Sequence, residues 1–383
     1  MHKSKIILAS WLIRYPLGGN LSWALQYILG LQDLGHEVYF VEKAGYENSC
    51  YDVPKKIMSN DCSYGIKVVS ELLKRFGLQD KWCYVSYDGN YYGRSKQQIA
   101  EVFKSADLFI DSGAHGSWAE EATHAKLRVL VDGEPSYTQM KWANRLAAGE
   151  SIPQYDRYFT NGKNIGTVAS PAPTLNIEWE HVYSPVKTSL FIPVAAAKDA
   201  PYSTVMNWQS HSPIHYNGKQ YGQKDVEFEK FIALPTWVDQ PMEVAVSGIS
   251  IPYELLKKNK WLINDAQEVT LSFDTFQKYL TYCKGEFSVC KNVFVENQTG
   301  WFSDKSAAYL ASGRPAVLQD TGFSKHLPVG EGLLAVRNVV EAKEAILLIE
   351  KDYSFHSKKA REIACEYLEA TTVMKAFIDE LGI

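Results

Sequence analysis

The stretch of residues 300–322, GWFSDKSAAYLASGRPAVLQDTG, constrains the fold more than any other part of the chain. Its middle, residues 306–312, has the small and apolar composition of a short helix. Ser303 is in position to cap the start of that helix, and Gly313 is in position to end it. Residues 316–319 then form the apolar run of a short buried strand, followed by a polar turn. Loop, helix, strand and turn in this order predict half of a doubly wound α/β unit.

The start of this predicted helix suits a diphosphate. A helix N-terminus carries unpaired N–H groups and a partial positive charge. The hydroxyls of Ser303 and Ser306 and the cation of Lys305 would add to that potential. The alternative is an ordinary capped helix, because such caps occur in most α/β proteins. The helix signals alone leave both interpretations open.

Length and composition set the remaining limits. At 383 residues, and with about 150 residues per domain as a guide, two domains are expected. The net charge of −4 gives no electrostatic case for a nucleic-acid backbone or an anionic membrane as partner. The six cysteines show neither CxxC nor Cys/His spacing, so no disulfide framework and no zinc site are predicted.

The first residues, MHKSKIILASWLI, resemble a signal peptide only superficially. Their apolar run is short, it is broken at Arg14, and no small-residue cleavage site follows, so a first strand is predicted instead. No stretch of the chain is long enough to span a bilayer. A cytoplasmic protein is therefore expected.

A strand–loop–helix–strand unit opens the chain. Residues 6–9 and 37–41 have strand patterns, and a helix with apolar residues at helical spacing lies between them. Gly18 and Gly19 precede this helix, but they form neither a GxGxxG fingerprint nor a Walker loop. The pair would let the backbone approach a ligand closely, or it would simply form a tight turn.

Two further predicted strands, residues 106–110 and 127–131, end in acidic turns. Asp111 and Asp132 follow them, with His115 close behind Asp111. The carboxyl ends of parallel strands meet at the edge where doubly wound sheets bind ligands. A carboxylate or imidazole there could deprotonate an acceptor hydroxyl. Equally, both aspartates could merely cap the helices that follow.

The second half repeats this alternation. Strands are predicted at residues 243–246, 261–263, 286–289 and 332–336, with helices between them. Residues 167–201 have the composition of a connection between lobes, and residues 204–223 that of a polar, turn-rich loop. The predicted fold is α/β: two doubly wound, Rossmann-like parallel-sheet domains that face each other across a cleft, with a helical C-terminal tail.

Five motifs carry a specific resemblance: RYPLGGN, VDGEP, FTNGKNIG, KGEFSVCKN and GWFSDKSAAYLASGRPAVLQDTGF. Over its full length, the chain resembles bacterial nucleotide-sugar glycosyltransferases of the two-Rossmann GT-B architecture. It departs from the family in two places. Of the HCGWNS turn of plant-type members, only Gly300, Trp301 and Ser303 are present. Many retaining members have two glutamates with seven residues between them, and the corresponding positions here are Gly300 and Ala308.

The resemblance implies an acceptor-binding domain at residues 1–175, a nucleotide-sugar-binding domain at 176–365, and a C-terminal helix at 366–383 that packs back on the first domain. It implies transfer of a sugar from a UDP- or dTDP-linked donor to a small-molecule or natural-product acceptor. No cofactor and no metal are expected, since the sequence has no DxD motif. No nucleic acid and no membrane span are expected as partners, and a homodimer is compatible with the sequence. A sugar-nucleotide epimerase of the same fold and a non-catalytic sugar-nucleotide-binding protein are the alternatives.

The resemblance and the physical argument together give a set of site residues. Asp132 is ranked first as catalytic base, His115 second and Asp111 third. Lys305 is expected to neutralise the diphosphate, Glu286 to hold the base or ribose, and Asp320 with Thr321 to meet hydroxyls of the transferred sugar. The full predicted donor-binding set is Gly18, Gly19, Ser247, Gly248, Glu286, Phe287, Ser303, Asp304, Lys305, Ser306, Asp320, Thr321 and Gly322.

Overall fold

A computed structural model describes residues 3–113, 115–210 and 212–383. The strands are β1 Lys5–Ala9, β2 Glu37–Lys43, β3 Cys50–Asp52, β4 Ile57–Ser59, β5 Trp82–Val85, β6 Tyr91–Gly93, β7 Leu108–Asp111, β8 Leu127–Asp132, β9 Arg157–Thr160, β10 Trp179–His181, β11 Tyr202–Asn207, β12 Ile214–Tyr216, β13 Lys219–Tyr221, β14 Met242–Ser247, β15 Leu262–Asp265, β16 Gly285–Ser288, β17 Ala316–Gln319 and β18 Leu333–Val336. The helices are α1 Gly18–Asp33, α2 Ser63–Arg75, α3 Lys96–Lys104, α4 Ala119–Ala122, α5 Tyr137–Ala147, α6 Lys224–Phe228, α7 Tyr253–Lys258, α8 Ala266–Val269, α9 Phe273–Tyr282, α10 Asn292–Glu296, α11 Asp304–Ala311, α12 Val339–Lys351, α13 Tyr353–Ile363 and α14 Ala370–Leu381.

The first lobe is built on a sheet with the order β10-β9-β8-β7-β1-β2-β5-β6. Every pair is parallel except β5 with β6. The central strand β1 is almost entirely buried. This burial explains the apolar run at its residues 6–9, since a parallel sheet is covered on both faces.

The second lobe is built on a parallel sheet with the order β15-β14-β11-β16-β17-β18. Its interior strand β11 falls largely in the stretch predicted to be a polar loop, and that prediction is wrong. Ser203 and Thr204 make this strand look like a loop, although both are buried. Ser203 Oγ bonds the Tyr309 hydroxyl at 2.7 Å, and Thr204 Oγ1 bonds Ser288 Oγ at 2.7 Å. Hydrogen-bonded hydroxyls can be buried at little cost. The strand was therefore not predicted, because its polar residues do not show the apolar pattern of a buried strand.

The chain crosses between the lobes twice, and the two crossings pair with each other. Val186 N donates to the Leu368 carbonyl oxygen at 2.8 Å, and Ala370 N donates to the Val186 carbonyl oxygen at 2.9 Å. After the second crossing, α14 packs on α1 of the first lobe. Contact is so close at Gly30 that a Cβ there would lie 2.7 Å from the Ala370 carbonyl oxygen.

The prediction of two parallel α/β sheets with a helical tail is confirmed. In the part of the chain that the structure describes, no helix is long and apolar enough to cross a membrane.

Candidate functional site

A small pocket opens at the carboxyl edge of the second sheet. It lies where β16 ends, where α11 begins and where α6 begins. Its polar lining is formed by Lys224, Ser288, Ser303, Lys305 and Ser306, and its apolar lining includes Val289, Cys290, Trp301, Phe302, Leu318 and Phe323. This is the edge at which open α/β sheets bind ligands.

Lys305 points inward to a buried carboxylate rather than to a free phosphate position. Its Nζ forms an ion pair with Glu286, and it also donates to Ser288 Oγ at 2.6 Å. The Glu286 side chain is 0% exposed and the Lys305 side chain 12% exposed. The Glu286 carboxylate is sealed inside the lobe, which argues against its predicted role in holding a base or ribose. Lys305 is already neutralised, which argues against its predicted role as the diphosphate cation.

Lys224 is the lysine of the pocket whose positive charge is available to a bound anion. It is the first residue of α6, and no carboxylate among the described residues lies within ion-pairing distance of its Nζ. Burial, and then the nearby Lys305 cation, lower the pKa of Lys224 to about 8. A desolvated lysine without a counter-ion is costly to hold. A bound anion would remove much of that cost.

Glu227 fixes Lys224 in place through α6. Its buried carboxylate accepts from Asn292 Nδ2 at 2.7 Å and from Gln319 Nε2 at 2.5 Å, which ties α6 to α10 and β17. Gly222 N donates to Asn292 Oδ1 at 2.9 Å just before the helix. Sequence reasoning missed Lys224 because it directly follows the stretch 204–223 that was predicted to be a polar loop, and no helix was predicted there. Only the fold brings it to α11.

The N-terminus of α11 differs from the prediction. The helix begins at Asp304 rather than at residue 306, and Ser303 caps it without a side-chain hydrogen bond. Burial raises the pKa of Asp304 in the first turn. Ser303 and Ser306 do line the pocket. Phe287, by contrast, is packed in the apolar core of the second lobe and does not line the pocket.

The turn after β17 is a structural element. Asp320 accepts from Gly322 N at 2.8 Å and from Ser324 Oγ at 2.8 Å, while Thr321 Oγ1 donates to the Trp301 carbonyl oxygen at 2.6 Å. Both side chains are buried. Their polar atoms hold the turn together, which argues against their predicted contact with sugar hydroxyls. Gly322 has φ +93°, and a Cβ there would lie 2.5 Å from Asn164 Nδ2 of the first lobe.

The predicted glycine contacts serve the protein's own backbone. Gly18 N donates to the Thr270 carbonyl oxygen at 2.6 Å, and a Cβ at Gly18 would lie 2.3 Å from the Ser272 carbonyl oxygen. The close approach that Gly18 allows is therefore to the second lobe. Gly19 has open space beside it. Ser247 and Gly248 end β14, outside the pocket lining.

Asp132, the first-ranked base, is enclosed in the first lobe. Oδ1 accepts from Glu134 N at 3.0 Å and from Thr138 Oγ1 at 2.6 Å, and Oδ2 accepts from Gln139 Nε2 at 3.0 Å and from Thr160 Oγ1 at 3.1 Å. Burial raises the pKa of Asp132. With four donors on two oxygens, the geometry favours a structural role that holds the VDGEP turn and the start of α5.

We expect Asp132→Asn to lower the free energy of unfolding by about 1–3 kcal/mol, because the new amide group would face donors instead of accepting from them. Urea unfolding followed by circular dichroism measures this change. Asp156→Asn, at an exposed ion pair with Arg128, is the matched control and should cost less than about 1 kcal/mol. Unchanged stability together with a ~100-fold loss of turnover would instead identify Asp132 as the base.

The other two base candidates lie at the end of β7. Asp111 is fully buried and accepts from His115 N at 3.1 Å, Gly116 N at 2.8 Å and the Tyr155 hydroxyl at 2.6 Å. Its role is to shape the turn. His115 is exposed and has φ +52°, a conformation that non-glycine residues seldom adopt. Of the three predicted bases, His115 alone is exposed.

A charged pair closes the cleft beside the pocket. Glu134, in the turn after β8, accepts from Lys291 Nζ at 2.5 Å, and Lys291 immediately precedes α10 of the second lobe. Glu134 follows β8 in the VDGEP motif, and Lys291 follows β16 in the KGEFSVCKN motif. Asn164 strengthens the closure, since its Nδ2 donates to the Gln298 carbonyl oxygen at 2.7 Å. This pair was not predicted, because cross-lobe contacts have no local pattern.

Aromatic rings stand on the first-lobe side of the cleft, after β1. Trp11 packs against Trp23, with ring centroids 6.1 Å apart, and against Tyr15 at 5.7 Å. The Trp11 ring also covers the turn after β7, since a Cβ at Gly113 would lie 2.7 Å from its Nε1 atom. Flat rings with polar tips suit a sugar or a planar acceptor.

No protein-family model matches the sequence, and no curated protein is similar to it at a significant level. Solved structures do match. An α-glucosyltransferase in complex with UDP and a 13-mer DNA aligns over 100% of both chains with a TM-score of 0.58 and 9% identity. A sucrose-phosphate synthase from Thermosynechococcus elongatus aligns over 98% of this chain and 99% of its own with a TM-score of 0.57 and 13% identity. A glycosyltransferase from Rickettsia africae aligns over 99% and 98% with a TM-score of 0.54 and 12% identity.

The fold is GT-B. The predicted architecture is therefore confirmed, at identities too low to carry more than the fold.

One prediction about partners is wrong. Nucleic acid was excluded and a small-molecule acceptor expected, yet three of the solved structures that match this chain over its whole length are α-glucosyltransferases in complex with DNA. The exclusion rested on the net charge of −4. Net charge describes the whole chain, whereas a partner meets one face of it.

Among the described residues, no group of three or more His, Cys, Asp or Glu side chains is placed to hold a metal ion. The expectation of metal-free chemistry stays a prediction.

Proposed function

We propose that this GT-B protein is a glycosyltransferase that uses a UDP-sugar donor without a metal ion. The observation that carries the proposal is Lys224, a lysine with no ion pair to any described carboxylate, which lies with the N-terminus of α11 in the pocket at the second-lobe sheet edge. Matched GT-B structures that hold UDP support the choice of donor. Those named above are transferases and a synthase, and they give no support to an epimerase or a non-catalytic binding protein.

The diphosphate would lie against Lys224, Ser303 and the first N–H groups of α11. Breaking the glycosidic bond increases the negative charge on the leaving diphosphate, and a fixed cation with aligned backbone dipoles stabilises it. Ser288 Oγ lies at the same edge, where it also receives the Lys305 hydrogen bond. The charge that a divalent metal supplies in other phosphate sites would come from Lys224.

The acceptor hydroxyl would enter from the first lobe, beside the Trp11 ring and the turn that carries His115. His115, at the carboxyl edge of the first sheet, is the group proposed to take its proton. Transfer is tested by incubating the protein with labelled UDP-sugars and a panel of acceptors that includes DNA, with hydrolysis of the donor as a background. Absence of both transfer and hydrolysis with every donor would contradict the proposal.

We expect UDP to stabilise the protein equally with and without a chelator, because the positive potential is built from the chain. At a UDP concentration of 100 times Kd, the free energy of unfolding should rise by about 2.7 kcal/mol. Thermal unfolding with UDP in EDTA, compared with UDP in Mg²⁺, measures this. Uridine, which lacks phosphate, is the control and should stabilise much less. Stabilisation that disappears in EDTA would overturn the metal-free proposal.

A further inference from the structure

A second and larger cavity, of about 500 Å³, lies away from the donor pocket and shares no lining residue with it. It is bounded by β9 and β10 at the edge of the first sheet and by α14. Its volume is within the range of small-molecule sites, about 300–1,000 Å³.

The walls of this cavity are mostly apolar and aromatic. Phe159, Val182, Val373 and Phe377 are buried, and Phe159 and Phe377 pack with ring centroids 4.8 Å apart. Trp179, Tyr183 and Tyr367 add larger rings. Such walls accommodate a flat or apolar ligand body.

Among the described residues that line this cavity, Lys163 is the one lysine or arginine, and no ion pair joins it to a described carboxylate. Its Nζ lies 4.9 Å from the centroid of the Tyr183 ring, and no carboxylate among the described residues is within ion-pairing distance. Burial lowers the pKa of Lys163. The two acidic members of the lining do not need this lysine, since Glu180 pairs with Arg157 and the Glu380 side chain is 63% exposed to solvent, 3.7 Å from Arg157. Among the described residues of the lining, Lys163 is therefore the half-buried charge that is left to compensate.

We propose that this cavity is a second ligand site, which takes a small organic anion with a flat apolar body. The acidic group of the ligand, a carboxylate, sulfonate or phosphate, would pair with Lys163, and its body would lie against Tyr183, Tyr367 and Phe377. The site is independent of the proposed donor site. Its occupant would touch both segments that connect the lobes, because Val182 and Tyr183 precede the first crossing and Tyr367 belongs to the second.

Two fluorescent probes of similar shape test this site: anilinonaphthalene sulfonate, which is an anion, and phenylnaphthylamine, which is neutral. We expect the folded protein to bind the sulfonate at one saturable site that UDP does not displace. Lys163→Met should weaken sulfonate binding about tenfold or more, as expected for loss of a hydrogen bond to a charged group. The same variant should bind the neutral probe with unchanged affinity.

Two further variants complete the experiment. Ala376→Trp, which fills the cavity from α14, should abolish binding of both probes. Lys141→Met, at an exposed lysine on α5, should leave both unchanged, and thermal unfolding establishes that each variant is folded. Sulfonate binding unaffected by both Lys163→Met and Ala376→Trp would overturn the proposal, as would competitive displacement by UDP.

Discussion

Replacing Lys305 by methionine should lower the free energy of unfolding by about 3–5 kcal/mol, the cost of leaving a buried charge without its partner. The partner is Glu286, which is 0% exposed. Its Oε1 would keep only the hydrogen bond from Ser288 Oγ, at 2.6 Å. Its Oε2 has no hydrogen-bond partner among the described residues. The loss is measured by urea unfolding of the wild-type protein and the variant.

The double variant Lys305→Met with Glu286→Gln is the matched control. Removing both charges should recover much of the lost stability, because an uncharged buried pair carries no uncompensated charge. If Lys305→Met instead leaves stability unchanged and weakens UDP binding, Lys305 is the diphosphate cation that the sequence indicated. The two outcomes separate a structural lysine from a binding lysine.

Replacing Lys224 by methionine should weaken UDP binding by about 10- to 150-fold, which corresponds to the roughly 1.5–3 kcal/mol of a hydrogen bond to a charged group. Stability should fall little or rise, because the variant no longer holds an unpaired lysine at the edge of the sheet. Isothermal titration with UDP gives the affinity, and urea unfolding gives the stability. Lys258→Met, at an exposed lysine of the same lobe, should change neither.

The affinity for UDP should also depend on pH through Lys224. Its pKa in the folded protein is lowered from 10.5 to about 8, so the ammonium form that binds phosphate is lost as pH rises through about 8. In the absence of UDP, the unfolded chain binds more protons between these two values, and this residue makes the free energy of unfolding rise with pH over that window. A UDP affinity that is flat between pH 7 and pH 9.5 in wild-type protein, or equally steep in Lys224→Met, would contradict the assignment.

The sequence alone was sufficient for the architecture. Alternation of buried strands with capped helices, such as residues 316–319 after the helix ending at Gly313, is a local pattern that a doubly wound sheet requires. The prediction from this pattern failed at β11, where Ser203 and Thr204 are polar but form hydrogen bonds to other side chains inside the second lobe. The spacing of apolar residues reflects the polarity of each position, but it holds no information on hydrogen-bond partners that lie 84 and 106 residues away in the chain.

The tertiary structure decided which polar residues are available to a ligand. In the sequence, Lys305, Glu286, Asp132 and Asp320 occupy the positions of site residues, at strand ends and a helix start. In the fold, each is bonded to the protein's own groups, and all but Lys305, whose side chain is 12% exposed, are buried. Lys224 belongs to none of the sequence motifs. Of the two lysines that line the pocket, it is nevertheless the one with no ion pair to a described carboxylate. A local motif predicts where a strand or helix ends. Whether a polar side chain there can contact a ligand depends on which residues of the other elements pack against it.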